Sequence, residues 1–233
     1  MTPLSSPPAF TAAPSSAAPS GSERRRWLLA ANAGRWQGSF VRLDGEGREA
    51  GRFPHDLLVQ ELPEEPVGTE PALIDACLTN TSAGTSRSMS FREPPAEMQI
   101  SAEGHWSLGP DRIGAWSWVA ELSLVWGDRR RRAVVRLTPE RLESLVLVWE
   151  ARPGREDPAP PAPVVLPAPG RHQHPSGQGY SRWQVEPGLW FEASWQQDGD
   201  LTQQVALIWE PEPGCRLELQ RRYGPYGLLE PQA

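Results

Sequence analysis

Residues 35–48 read RWQGSFVRLDGEGR, and this stretch decides the fold. Successive side chains of a β-strand point to opposite faces, so Trp36, Gly38 and Phe40 share one face of a strand. Gly38 leaves a gap between the two aromatic rings, which makes room for a neighbouring backbone or a bound molecule. The sequence GEG at positions 45–47 then predicts a turn. The pattern is typical of the opening strand of a small barrel.

Length and composition fit one folded unit with attached flexible segments. The chain has 233 residues, of which 38% are hydrophobic, and its 26 Pro and 21 Gly suit many turns and linkers. The formal net charge is −6, which argues against general nucleic-acid binding because that depends on neutralising phosphates. All 23 residues counted as Lys or Arg are Arg, and a GC-rich genome is a sufficient explanation.

The two cysteines, Cys77 and Cys215, lie far apart in the sequence and match no metal or redox spacing. Both lie in apolar alternations, so we expect buried free thiols. No charged segment followed by an apolar run opens the sequence, and it has no stretch of about 18 apolar residues. The sequence therefore predicts a cytoplasmic protein without a membrane span.

The chain divides into four predicted segments. Residues 1–21 consist mainly of Ser, Ala and Pro and are expected to be disordered. Residues 22–152 hold the main part of the predicted barrel and begin with a short helix that Ser22 caps. Residues 153–179 are rich in Pro and predict a loop or linker, and residues 180–230 supply the closing strands of the same barrel.

Alternation of apolar and polar residues predicts the strands. The clearest run is AWSWVAELSLVW at 115–126, followed by RRRRAVVRL at 129–137 and LESLVLVWE at 142–150. Short turns separate these runs, so the three strands form an antiparallel meander. The predicted fold class is therefore all-β: an antiparallel, up-and-down barrel of about 8 to 10 strands with a short N-terminal helix.

Several of these segments carry a resemblance to a known group of proteins. They are RWQGSFVRLDGEGR near the start, GHWSLGP, ELSLVWGDRRRRAVVRL and LESLVLVWEAR in the middle, and LELQRRYGPYG near the end. On these motifs, residues 32–152 and 181–230 resemble a calycin, the superfamily of the lipocalins. More closely, they resemble an uncharacterised lipocalin-like domain-of-unknown-function family of cyanobacteria and plastids. A more distant resemblance is to the phycobiliprotein lyases, barrels that deliver an open-chain tetrapyrrole to a cysteine on a partner protein.

Trp36 and Arg221 are the first pair of candidate site residues. In calycins a Trp on the opening strand commonly lies under a basic residue of the closing strand, and alternation turns Arg221 towards the same interior as Leu217 and Leu219. The resemblance therefore implies that the Arg221 guanidinium stacks on the Trp36 indole. The alternative is that Arg221 binds the carboxylate of a ligand.

The four consecutive arginines at 129–132, together with Arg136, form the second feature. On a strand, Arg130, Arg132 and Arg136 share one side, opposite an apolar row, which predicts a solvated outer face. The alternative is a basic patch that docks an acidic partner or receives the propionates of a bilin.

The 11 tryptophans, Trp118 among them, fall mainly in apolar alternations, so most are expected in the core. A barrel lined by large rings can instead stack a flat conjugated ligand. The sequence has no recognisable catalytic motif, and its four histidines offer no set of metal ligands. We therefore predict neither a catalytic site nor a metal site.

These observations favour a non-enzymatic barrel that binds a small apolar or conjugated molecule carrying a carboxylate, such as a bilin or another hydrophobic carboxylate. The candidate ligand-binding residues are Trp36, Gly38, Phe40, Trp118, Arg136 and Arg221. Two other functions stay open. One is a lyase or chaperone that carries a bilin to a phycobiliprotein subunit, and the other is a filled barrel that serves as an interaction or assembly protein.

Overall fold

The computed structural model describes residues 18–63, 70–155, 157–160, 166–167, 179–195 and 203–231. In these ranges the chain forms one helix and 14 strands. They are α1 (Gly21–Asn32), β1 (Gly34–Asp44), β2 (Glu49–Leu62), β3 (Leu73–Asn80), β4 (Thr85–Phe91), β5 (Gln99–Ile100), β6 (Trp106–Leu108), β7 (Trp118–Trp126), β8 (Arg129–Leu137), β9 (Leu142–Ala151), β10 (Leu166–Pro167), β11 (Gly179–Glu186), β12 (Leu189–Trp195), β13 (Gln203–Glu212) and β14 (Cys215–Tyr223). At 12 residues, the single helix of the described ranges is too short to cross a membrane.

The helix α1 begins earlier than the sequence suggested. Ser20 is its N-cap: the Ser20 side chain accepts a hydrogen bond from the Glu23 backbone N–H, and the Glu23 carboxylate accepts one from the Ser20 N–H at 2.9 Å. The prediction that Ser22 caps the helix is wrong, because a capping box needs Glu or Gln three residues after the cap and only Ser20 meets that spacing. The helix ends at Asn32, and Gly34 then adopts a φ of 98°, which lets the chain turn directly into β1.

Nine strands form one antiparallel sheet in the order β4-β3-β2-β1-β9-β8-β7-β6-β5. The strand β1 pairs with β2 on one side and with β9 on the other, so the opening strand lies near the middle of the sheet. The sheet curls into a half-barrel. The prediction of an all-β, antiparallel fold with one short helix is confirmed, and the predicted meander corresponds to β7, β8 and β9.

A short strand within the Pro-rich segment, β10, and the four strands that come after it form a second sheet. Within the described ranges, β10 to β14 pair in sequence order with one another and with no strand of the first sheet. The expectation that residues 180–230 complete the first sheet is therefore corrected. Alternation on β13 and β14 gives the second sheet an apolar face that includes Leu207 and Leu219, and this face packs against the first sheet instead of extending its edge.

The two sheets enclose a common apolar core. Leu122 and Leu147 of the first sheet belong to the same buried cluster as Phe191 and Leu207 of the second. The opposite face of the nine-stranded sheet is concave, and the apolar side chains of α1 pack on it in two smaller clusters. The nine-stranded sheet is therefore covered on both faces over much of its area.

Two further expectations can be compared with the described residues. Cys77 and Cys215 are free thiols, as expected, but they are half-buried rather than buried. Residues 1–17 and most of 153–179 lie outside the described ranges, so the disorder expected for residues 1–17 and the loop expected at the Pro-rich segment stay predictions. The predicted disorder is wrong at Ser20 and Gly21, which form the capped start of α1.

Candidate functional site

The arginines of β8 alternate between the two faces of the nine-stranded sheet. Arg131 points towards the second sheet, where it donates from Nε to Glu186 Oε1 at 3.0 Å and from Nη1 to Asp157 Oδ2 at 2.6 Å. Arg130 and Arg132 lie on the concave face and are buried. The prediction of a solvated outer face is therefore wrong for Arg130 and Arg132, because the curled sheet and α1 enclose that face.

Glu150 of β9 lies at the centre of a buried group of charges on the concave face. Its Oε2 accepts hydrogen bonds from Arg130 Nε at 2.7 Å and from Arg132 Nε at 2.9 Å. Its Oε1 accepts from Arg132 Nη2 at 3.0 Å and from His55 Nε2 at 2.8 Å. Arg132 also donates from Nη1 to Glu121 Oε1 at 2.6 Å. We call these five residues the Glu150 cluster.

Gly38 explains how strands β2, β1 and β9 fit together beneath this cluster. In the sheet register, Gly38 stands directly between His55 of β2 and Glu150 of β9. A Cβ atom on Gly38 would lie only 1.8 Å from the carbonyl oxygen of Trp149. The gap that the sequence predicted at this glycine is therefore occupied by neighbouring backbone, and the side chains on either side meet above it.

The surroundings of Glu150 and His55 fix their charge states. Burial by itself raises the pKa of the Glu150 carboxyl, but the positive charges of Arg130 and Arg132 outweigh that effect and hold this pKa well below its usual value. Burial lowers the pKa of His55 and outweighs the opposing attraction of Glu150. At neutral pH, Glu150 is therefore ionised, and His55 is neutral with its proton on Nε2, the nitrogen that faces the carboxylate.

Trp36 is buried between two arginines of the same face. The Cζ atom of Arg152 lies 3.7 Å from the centre of the indole ring, and that of Arg130 lies 4.3 Å from it. The indole Nε1 donates to the carbonyl oxygen of Asn32 at 2.9 Å, which ties β1 to the end of α1. The predicted stack of Trp36 with Arg221 is wrong, because β1 pairs with β9 and not with β14, so arginines on β8 and just after β9 reach the ring instead.

Arg221 is fully buried on the inward face of β14, as alternation predicted, but it neither stacks on Trp36 nor is free to bind a ligand. All five of its N–H groups have partners, namely Tyr223 Oη, the carbonyl oxygens of Glu97, Gly109 and Pro110, and Ser107. Arg221 thus fastens the segment around β5 and β6 to the second sheet. It has no donor left for the carboxylate of a ligand.

The remaining predicted site residues fall in three places. Phe40 lies on the concave face and packs edge-on against His55, with ring centres 4.4 Å apart. Trp118 lies between the two sheets and donates from Nε1 to Gln203 Oε1 at 2.8 Å. Arg136 is exposed near the end of β8. The structure therefore brings together Trp36, Gly38 and Phe40, and places Trp118, Arg136 and Arg221 elsewhere.

A cavity of about 250 Å³ opens on the concave face beside the Glu150 cluster. Arg130, Arg132 and Glu121 line one part of it. Most of the rest is apolar and includes Leu28, Leu57, Val59, Leu78, Phe91 and Trp106. A concave apolar surface with a few convergent polar groups is the usual form of a small-molecule site.

Sequence reasoning missed Asn32, His55 and Glu150 as parts of this site. Asn32 is buried at the end of α1, where its Oδ1 accepts from Arg130 Nη1 at 3.1 Å and from Trp106 Nε1 at 3.2 Å. The signal for Glu150 was present, because it interrupts the apolar run LVLVWEA of β9. A charged residue in such a run indicates a buried partner, since an unpaired charge is rarely buried.

Comparison with solved structures shows which known proteins have a similar fold. The chain is similar to a protein of unknown function from the DUF3598 family of Nostoc punctiforme PCC 73102, with a TM-score of 0.61 and 16% identity over 91% of this chain and 96% of that one. This similarity shows a common fold and confirms, at that level, the resemblance to a cyanobacterial domain-of-unknown-function family. A weaker similarity is to the S-type phycobiliprotein lyase CPES from Guillardia theta, with a TM-score of 0.40 and 9% identity over 57% of this chain and 94% of that one. No family model and no curated protein matches the sequence.

Proposed function

We propose that the concave face of the nine-stranded sheet binds a small apolar molecule, and that the protein acts as a binding protein rather than as an enzyme. The observation that carries this proposal is the cavity of about 250 Å³, apolar over most of its lining and bordered by a buried charged cluster. The hydrophobic effect supplies affinity in such a cavity, and the few polar groups orient the ligand.

The state of the Glu150 cluster supports binding over catalysis at this position. A general acid or base is most effective when its pKa lies near the working pH. The pKa of Glu150 is held well below its usual value by Arg130 and Arg132 against the effect of burial, and burial lowers the pKa of His55. Both groups are also engaged with each other, so they act as a fixed support for the cavity rather than as proton-transfer groups.

The size of the cavity favours a small ligand. One water molecule takes up about 30 Å³ in the liquid, so 250 Å³ corresponds to roughly eight such volumes and to a ligand with a similar number of non-hydrogen atoms. An open-chain tetrapyrrole is several times larger and would leave most of its length outside. The geometry therefore supports a short apolar molecule better than a whole bilin.

Binding of 1-octanol, followed by isothermal titration calorimetry, tests the proposal. Ala76 of β3 lines the cavity, so Ala76→Phe should fill part of it and weaken octanol binding at least about tenfold. Ala83 lies in the exposed turn between β3 and β4, so Ala83→Phe adds the same group without touching the cavity and should leave the affinity unchanged. If octanol does not bind, or binds both variants equally well, this cavity is not an apolar ligand site. Native mass spectrometry of the protein from its own host would then show whether it carries any small molecule.

A further inference from the structure

Arg130, which lines the cavity, has one buried guanidinium nitrogen without a partner in the described part of the chain. Its Nε donates to Glu150 Oε2 at 2.7 Å, and its Nη1 donates to Asn32 Oδ1 at 3.1 Å. Its Nη2 is buried and has no hydrogen-bond partner in the described part of the chain. Buried donors of a charged group are nearly always satisfied in folded proteins, because leaving them unpaired carries the full cost of desolvation. The arrangement therefore calls for an acceptor.

The neighbouring arginine shows that this spare donor is a particular feature of Arg130. Arg132 also lines the cavity, but its Nε, Nη1 and Nη2 all donate to carboxylates, two of them to Glu150 and one to Glu121. The side chain of Arg130 is only 2% exposed, so bulk water does not replace the missing partner. Ser123, fully buried on the same face of β7 as Glu121, has a hydroxyl that also lacks a partner in the described ranges.

The charges of the Glu150 cluster limit how much negative charge the acceptor can carry. The guanidinium groups of Arg130 and Arg132 face the carboxylates of Glu150 and Glu121, so the cluster holds two charges of each sign. The lowered pKa of His55 keeps that side chain neutral. A carboxylate makes a charge-assisted hydrogen bond with a guanidinium, and in a balanced site with little solvent its single charge is less costly to bury than the two charges of a phosphate dianion.

We propose that Arg130 Nη2 binds the carboxylate of a short apolar monocarboxylic acid whose tail lies in the cavity on the concave face. This inference rests on the proposed function and names the class of ligand. The tail would lie among apolar side chains such as Leu57, Leu78 and Phe91, in a space that fits roughly eight non-hydrogen atoms. Because Nη2 is sealed from solvent, the acid reaches it only when neighbouring side chains move.

The affinities of octanoate and 1-octanol at pH 7, measured by isothermal titration calorimetry on the full chain, test this inference. The two probes share the tail and differ in the head group. Octanoate is expected to bind at least about tenfold more tightly, because it makes a charge-assisted hydrogen bond that the alcohol lacks. Equal affinities would overturn the carboxylate inference and leave the apolar cavity standing, whereas binding of neither probe would overturn both proposals.

A pair of matched variants locates the head group. Arg130→Lys keeps a positive charge beside Glu150 but loses the planar fork, and Arg136→Lys makes the same change at an exposed residue of the same strand that does not line the cavity. We expect Arg130→Lys to weaken octanoate binding about tenfold relative to octanol binding, and Arg136→Lys to leave the affinities of both probes unchanged. If both variants weaken octanoate binding equally, or if Arg87→Ala at the exposed rim weakens it instead, Arg130 does not bind the carboxylate. If a variant fails to fold, side-chain NMR of ¹⁵N-labelled arginine in the wild type decides: octanoate must shift the Arg130 guanidinium signals, and unchanged signals refute the assignment.

Discussion

Replacing Glu150 with Gln tests whether the Glu150 cluster holds the concave face together. The substitution keeps the shape of the side chain but removes the negative charge that faces Arg130 and Arg132, and it turns one acceptor into an NH₂ donor that points at other donors. Removing one partner of a buried ion pair costs about 3 to 5 kcal/mol, because the other charge stays buried without compensation. Two buried arginines lose a common partner here, so we expect the upper part of that range, about 4 to 5 kcal/mol.

The dependence of this loss on pH provides a second signature. Glu150 has a pKa in the folded state well below its usual value, since the nearby arginines outweigh the effect of burial. Its contribution to stability is therefore fully present above the unfolded-state pKa of about 4.3 and is lost as the pH falls through the folded-state pKa. The free energies of unfolding of wild type and Glu150→Gln should accordingly converge as the solution is acidified below about pH 4.3.

Urea unfolding at pH 7 and at lower pH, followed by circular dichroism, measures both effects. Glu46→Gln is the matched control, because Glu46 pairs with Arg48 at 2.7 Å but its side chain is 71% exposed. An exposed pair of this kind contributes about 0 to 1 kcal/mol. A loss for Glu150→Gln no larger than that of the control, or a difference from wild type that does not change with pH, would refute the role assigned to the cluster.

Three other predictions concern substitutions on the same face of the sheet. Gly38→Ala should lower the free energy of unfolding by about 1 to 3 kcal/mol or more, because its Cβ would lie 1.8 Å from a backbone oxygen of β9. Gly51→Ala is the control and should change thermal stability little, because a Cβ there would have nothing within 4 Å. Equal effects of the two substitutions would contradict the register of β1 and β9. The pKa of His55 is lowered by burial on folding, so the unfolded chain binds more protons and stability falls as the pH drops below about 6.5. Denaturant titrations should therefore show a flatter pH profile below that value for His55→Gln, and an unchanged slope would mean that the ring is not buried in its neutral form. A double-mutant cycle of Trp36→Leu and Arg152→Met should show coupling of about 0.5 to 2 kcal/mol, and additive losses would show that the two side chains do not stack.

The strands of the central meander could be predicted from the sequence because side-chain alternation is a local property. The run LESLVLVWE predicted β9 to within one residue, and the run AWSWVAELSLVW predicted the last residue of β7 but began three residues too early. Alternation also showed correctly which residues share a face, so Trp36, Gly38 and Phe40 do lie together. The spatial order of the strands could not be predicted in the same way, because a strand at the edge of one sheet and a strand in a second sheet show the same alternation of apolar and polar residues. For this reason residues 180–230 were expected to pair with the first sheet and instead pack on it.

The candidate site was predicted only in part, because alternation does not reveal what covers each face. A row of arginines on a strand normally faces solvent, and the exposed Arg136 follows that rule. Arg130 and Arg132 depart from it because Glu150, on the neighbouring strand, supplies the compensating charge inside the fold. Pairing of that kind depends on the register between β8 and β9, which are joined by a turn, and the sequence held one clue to it in the acidic residue that ends the apolar run of β9.

The same run of arginines also shows why the absence of Lys matters in the structure, whatever its genomic cause. Arg131 binds Asp157 and Glu186 at once on one face of the sheet, and Arg132 binds Glu150 and Glu121 at once on the other. A guanidinium can do this because its donors spread in a rigid plane, whereas the ammonium group of Lys is a compact point charge. Arginine is the basic residue throughout the sequence, and the geometry of β8 explains why these positions require it. One strand thereby fastens the second sheet with one set of alternate residues and builds the concave site with the other.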